Sequence, residues 1–218
     1  SQKYYLCNHI NTITMNTQET IQDILEKEAR AIRNIPVGEH FDQAVALIVE
    51  RVHKQGCKLV TTGMGKAGQI AMNIATTFCS TGIPSVFLHP SEAQHGDLGI
   101  LQEGDVMLLV SNSGRTREIL ELLDLAERFR PHTPTIVITG NSESELAQRA
   151  DVCLFTGGAP EVCPLGLTPT TSTTLMTVIG DILVVSTMKA TGFDATQYAL
   201  RHHGGYLGQR SREQSKGK

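Results

Sequence analysis

The hydrophobic pattern of this chain changes period near Cys57. Before it, Ile21, Ile24, Leu25 and Ile32 recur at helical spacing and predict an amphipathic helix over Thr17–Arg33. Pro36 and Gly38 break that pattern, and Phe41, Ala44, Val45, Ile48 and Val52 predict a second helix closed by Gly56. After it, short apolar runs dominate. Those at 58–62, 85–88, Val106–Val110, Thr135–Thr139 and Val152–Phe155 read as strands, Val106–Val110 as one buried on both faces. Helical patterns separate them, one running to Phe78 before Gly82 and Pro84, another to Phe129 before Pro131 and Pro134. The run Ser142-Glu143-Ser144-Glu145 reads as a capping box on a short helix. Leu175, Val178, Ile179, Ile182 and Leu183 mark a long apolar helix. Residues 1–16 are polar and aperiodic and are expected to form a loose or partner-dependent tail.

Strands alternating with helices give an α/β fold, a parallel sheet wrapped on both faces. Ligands of such sheets sit beyond the strand C-termini at the topological switch point. The Gly- and Ser-rich turns fall there.

Composition narrows the classes. The chain has 218 residues, 40% hydrophobic and 19% charged, ordinary for one globular domain. Net charge is −3 with no long basic run, so no nucleic-acid or anionic-membrane partner is expected. No apolar segment is read as reaching the ~20 residues of a membrane span, and no secretory signal is read at the N-terminus. Cys7, Cys57, Cys79, Cys153 and Cys163 are odd in number and scattered, as expected of free thiols in a cytoplasmic protein.

Two turns carry candidate chemistry. Ser111-Asn112-Ser113-Gly114, followed by Thr116, joins the Val106–Val110 strand to a helix N-terminus. There, backbone N–H groups, hydroxyls and the helix dipole favour a phosphate. Pro169-Thr170-Thr171-Ser172-Thr173-Thr174 opens the long helix in the same way. The competing reading for each is an ordinary N-cap, which needs one such residue. Two hydroxyl-rich turns on one rim suit a single phosphate gripped from both sides. Gly63, Gly65 and Gly68 match G-x-G-x-x-G, but the acid expected about 20 residues on, at the end of the next strand, is missing, because that strand ends Phe87-Leu88-His89. A P-loop fails too, because Ala67 follows Gly65-Lys66. A Gly-rich turn with one cation, Lys66, remains, aimed at a small anion. His95, Glu92 and Asp97, Glu161, and His202 with His203 lie in loops read as facing the ligand side. They suit proton abstraction beside a sugar carbonyl, with a zinc site as the competing reading.

These strings together resemble a known family. G-M-G-K-A-G at 63–68, H-P-S-E-A-Q-H-G-D-L-G at 89–99, S-N-S-G at 111–114, E-V-C-P-L-G-L-T-P-T-T-S-T-T at 161–174 and A-L-R-H-H-G-G-Y-L-G at 199–208 are similar to the sugar isomerase (SIS) domain of arabinose-5-phosphate isomerases. The resemblance covers roughly residues 17–210, leaving 211–218 as a C-terminal tail. It implies a three-layer αβα sandwich with a five-stranded parallel sheet, doubly wound and flavodoxin-like. It implies interconversion of D-ribulose 5-phosphate and D-arabinose 5-phosphate through an enediol, the first step toward the lipopolysaccharide sugar Kdo. It implies no cofactor, and a homotetramer with shared active sites. Carried over by motif, Lys66, His95, Glu118, Glu161 and His202 are the catalytic positions. Ser111, Ser113, Thr116, Ser172 and Thr173 form the phosphate turns, with Gly63, Gly65, Asn112 and Thr170 beside them. Of these, His95, Glu118, Glu161 and His202 are the set that would take an adventitious zinc, with no metal required.

The carboxylates beside His or Lys are expected to have pKa values moved toward working pH. Three departures from the family pattern stand out. No CBS pair follows the isomerase region within this sequence, His202-His203-Gly204-Gly205 replaces the usual His-Pro-Gly-Gly, and Arg115 and Arg117 add charge at the mouth. A non-catalytic sensor of a sugar phosphate or Kdo-pathway product is the alternative function.

Overall fold

The computed structural model describes residues 17–216. Helix α1 (Thr17–Arg33) and α2 (Glu39–Ile48), prolonged by a π-helical turn at Val49–Lys54, precede the sheet. Then follow β1 (Leu59–Gly63), α3 (Gly65–Ser80), β2 (Ser85–Phe87), α4 (Pro90–Ala93), a 3-10 turn (Asp97–Ile100) and β3 (Val106–Val110). Next come α5 (Arg117–Phe129), β4 (Thr135–Thr139), α6 (Glu145–Arg149) and β5 (Val152–Phe155). The chain closes with α7 (Thr171–Thr191), α8 (Ala195–Ala199) and α9 (Gly205–Lys216).

The five strands are all parallel, in the order β2-β1-β3-β4-β5. The order reverses between β1 and β3, where Gly63 pairs with Val110, so the expected crevice opens just beyond those two residues. Strands β1, β3 and β4 are buried at every position, and β3 reads as a continuous apolar run for that reason. Alternate residues feed two cores. Leu59, Leu108, Val110, Ile136 and Ile138 meet α2, α3 and α7 on one face. Val60, Met107, Leu109 and Val137 meet Ile119, Leu122 and Leu123 of α5 on the other.

Two glycines let the helices come close. A Cβ on Gly68 would stand about 2.5 Å from the Gly63 carbonyl oxygen, so α3 can fold back onto β1 only with glycine there. A Cβ on Gly180 would meet Ile74 Cγ1 at 2.6 Å, where α7 crosses α3. At the opposite rim, buried Asp105 accepts from the Lys58 N–H at 2.9 Å, the Lys58 ammonium at 2.6 Å and the Gln102 N–H at 2.7 Å, clamping the starts of β1 and β3.

Several expectations need correction. The stretch 89–99 is not a plain loop, because Pro90 starts the one-turn helix α4, with the His89 ring accepting the Ser91 N–H at 3.3 Å. The cap of α6 is Ser144, whose hydroxyl accepts the Ala147 N–H at 3.3 Å, so the capping box at Ser142 is two residues out of register. The final helix continues past residue 210, with Ser211 buried, and together with α8 it was not foreseen. Helix α7 is long and apolar enough, by length and composition, to cross a membrane, contrary to the reading that no segment approached this. Leu175, Met176, Ile179, Leu183 and Val184 account for that character by packing into the core. The expected tail, residues 1–16, lies outside the described residues.

Candidate active site

Gly63 ends β1 and Met64 opens α3 with extended backbone, so Lys66 lies in that helix's first turn. Gly65 adopts φ +56, a conformation that favours glycine. Across the switch point, β3 ends at Val110 and the turn Ser111–Gly114 leads to α5. The start of α7 arrives opposite. Together these segments enclose a cavity of about 380 Å³. Lys66, Ser111, Asn112, Ser113, Thr116, Glu161, Ser172 and Thr173 line it, with Met64, Met176, Leu167 and Pro169 as apolar walls. Gly63 and Gly65 shape the turn without lining the cavity, and Thr170 sits just behind it.

The hydroxyls are not serving as ordinary caps. Neither Thr116, at the N-cap of α5, nor Thr170, at the N-cap of α7, makes a side-chain cap bond. The Thr116 hydroxyl pairs instead with Ser111 Oγ at 2.8 Å, and Ser113 Oγ accepts the Arg115 N–H at 3.2 Å, leaving its own proton available. Among the described residues, the backbone N–H groups of Ser113, Arg117 and Glu118 at one turn, and of Thr171 and Thr173 at the other, take no protein acceptor. Helix N-termini with open donors are anion sites by electrostatics and geometry together.

Glu161 ties the second turn together. Its Oε2 accepts from the Thr170 N–H at 2.7 Å, the Thr170 hydroxyl at 2.9 Å and the Ser172 N–H at 3.2 Å. Partial burial pushes this carboxyl up, but the donors of Ser172 and Thr170 outweigh that and hold it below the usual carboxylate range. The shift is therefore opposite in sense to the expected move toward working pH. The segment between, residues 161–170, is folded by a second acceptor. Cys163 Sγ takes the N–H groups of Thr168 at 3.1 Å and Leu167 at 3.3 Å, and its thiol is lowered to about 7, chiefly by the Thr168 bond. Cys163 escaped sequence reasoning because only the folded loop turns two amides toward its sulfur.

The remaining residues named from sequence are not gathered here. Glu118 lies in the first turn of α5 outside the cavity lining. His95 is exposed on the rim beyond β2. His202 stacks on Tyr198 at 3.7 Å, past the C-terminal end of α7. The 21 residues of α7 separate it from the cavity by roughly 30 Å at 1.5 Å per residue. His202 therefore cannot serve the cavity of its own protomer, and the two-histidine, two-carboxylate zinc group does not form within one chain. Among the described residues no three His, Cys, Asp or Glu side chains are placed to hold a metal ion.

Comparisons with known proteins place the chain in a family. The SIS domain model matches residues 52–186. Arabinose 5-phosphate isomerase KdsD of Shigella flexneri is 44% identical over 193 residues, 88% of this chain and 58% of that protein. This chain thus spans less than two thirds of that relative's length. A crystal structure from Bacteroides fragilis NCTC 9343, of a candidate phosphosugar isomerase involved in capsule formation, is 68% identical with a TM-score of 0.86, over 87% of this chain and 99% of that one. A protein of E. coli CFT073 solved in complex with arabinose 5-phosphate is 33% identical with a TM-score of 0.78, over 87% of this chain and 98% of that one. Because the SIS domain model matches more than half of its length, the chain belongs to the SIS-domain family.

Proposed function

We propose that this protein is an aldose–ketose isomerase that interconverts D-ribulose 5-phosphate and D-arabinose 5-phosphate through an enediol, the first step toward Kdo. The observation that carries the reading is the pair of uncapped helix starts, α5 and α7, opening on one cavity beside Lys66 and Glu161. The name of the S. flexneri relative and the arabinose 5-phosphate bound in the E. coli CFT073 structure support the choice of sugar.

In this reading the phosphate rests on the N–H groups of Ser113, Arg117, Thr171 and Thr173, with the Ser113 and Ser172 hydroxyls beside them. This remote binding energy orients carbons 1 and 2 of the open-chain sugar. The Lys66 ammonium stabilises the enediolate as charge develops on its oxygen. Glu161, held ionised and with Oε2 already committed, orients the turn and presents its other oxygen to the sugar. Its lowered basicity leaves proton transfer to Glu118 or a histidine. His95 and His202 would come from neighbouring subunits of a homotetramer, because a single protomer does not bring them to the cavity.

The purified chain incubated with D-ribulose 5-phosphate in D2O, with and without chelator, tests this. The expected product is D-arabinose 5-phosphate carrying deuterium at carbon 2, read by proton NMR. Product without label would exclude exchange through an enediol. Binding of the sugar phosphate with no turnover would make the protein a sensor.

A further inference from the structure

We propose that Glu28 is a positioning residue for the phosphate turn at the start of α7, a role that rests on the reading of that cavity above. Glu28 belongs to α1, 143 residues before its partner, and lies outside the cavity lining. Its Oε1 accepts the Thr171 hydroxyl at 3.0 Å, and Thr171 is only 1% exposed. Its Oε2 is buried and takes no donor among the described residues.

Thr171 stands between Thr170 and Ser172, the two residues Glu161 holds. Two carboxylates therefore fix three successive residues of one helix start, Glu161 from the cavity side and Glu28 from behind. Pure packing explains Glu28 poorly. A buried carboxylate oxygen with an unmade bond costs stability, and an apolar side chain would fill the same gap at less expense.

What Glu28 does instead follows from its place. Holding the Thr171 side chain sets the rotation of the first turn, and with it the aim of the open Thr171 and Thr173 N–H groups. Its negative charge lies beside the positive end of α7, where it competes with a bound phosphate for the same field. Glu28 thus aligns the donors and limits their grip, so the phosphate ester is held in register yet released.

These two effects separate in two variants. Glu28→Gln keeps an acceptor for Thr171 and removes the charge, while Glu28→Ala removes both. Inorganic phosphate is titrated calorimetrically into the full chain at fixed pH and salt, alongside KM and kcat for ribulose 5-phosphate and the thermal midpoint. The Gln variant is expected to bind phosphate about two- to fivefold more tightly, the range a single charge at a helix terminus supplies, with a matching fall in KM. The Ala variant is expected to bind about tenfold more weakly, the loss of roughly one hydrogen bond. Thr171→Val should weaken binding similarly, and combining it with Glu28→Ala should cost no more than either change alone. Equal shifts of the same sign in Gln and Ala, or losses that follow the thermal midpoint alone, would overturn the role of Glu28. A native chain that isomerises the sugar while these contrasts are missing overturns Glu28 alone. A native chain that binds no phosphate overturns the cavity reading as well.

Discussion

Cys163 shows how one side chain can shape a binding wall without touching a ligand. Its sulfur gathers the Thr168 and Leu167 amides, and Leu167 and Pro169 are cavity walls. These bonds favour the thiolate and bring the thiol from its ordinary value of about 8.5 to about 7. The linkage has a definite sign. A depressed folded-state value means the contribution is complete above the ordinary thiol range and is lost as pH falls through about 7. Iodoacetamide labelling of the native protein should therefore show Cys163 reacting half-maximally near pH 7, as its thiolate forms. Cys153, whose thiol burial pushes up, should stay inert there. A Cys163 midpoint at or above 8.5 would mean the two amides do not reach the sulfur. The density of hydroxyls in 111–116 and 170–174 was readable in the sequence, and so was their rim. The commitment of Glu161 to Thr170 and Ser172 was not, because spacing says where a carboxylate sits and not which donors it meets. Glu28 and Thr171 were further out of reach, since nothing local links residues so far apart.

Among the elements, the strands were the most legible. The runs Val106–Val110, Thr135–Thr139 and Val152–Phe155 match the observed strands at both ends. The first two lie inside the parallel sheet and are buried on both faces, while the third is an edge strand with alternating burial. Short elements were less so. Helix α6 offered two serines as caps, and the S-x-x-E match at Ser142 drew the register away from the buried Ser144. Helix α8 is only five residues long, and α9 is polar and carries no strong period. Helix α1 was read correctly as an element; Ile21, Ile24 and Leu25 remain exposed in the protomer, while Ile32 packs against the core beside buried Ala31. The crossing of α3 and α7 is the tightest test of packing at this scale. Gly180→Leu should destabilise the fold by about 1–3 kcal/mol, the usual range for overpacking, seen as a lower urea midpoint at constant m-value. Ile74→Ala in the same chain should recover part of the loss, since Ile74 is the side chain in the way. A Gly180→Leu protein as stable as the native one would show that the helices can part without strain.

At the scale of the whole molecule, the sheet order places Lys66 and both hydroxyl-rich helix starts on one rim and leaves the other to structural clamps such as Asp105. The turn after β1 brings a cation, the turn after β3 brings hydroxyls and open amides, and the loop after β5 returns α7 to face them. That much follows from a doubly wound topology with its switch point between β1 and β3. The histidines were assigned to the same site from loops read as facing the ligand side and from the family motif, and the fold sets His202 at the far end of α7 instead. Sequence proximity to a motif could not reveal this, because the length of one helix decides it. A crystal structure of the full chain soaked with inorganic phosphate tests the central claim most directly. The ion should lie between the Ser113 and Arg117 amides on one side and the Thr171 and Thr173 amides on the other, within hydrogen-bond distance of both helix starts. Phosphate bound at only one start, or outside the cavity altogether, would contradict the account.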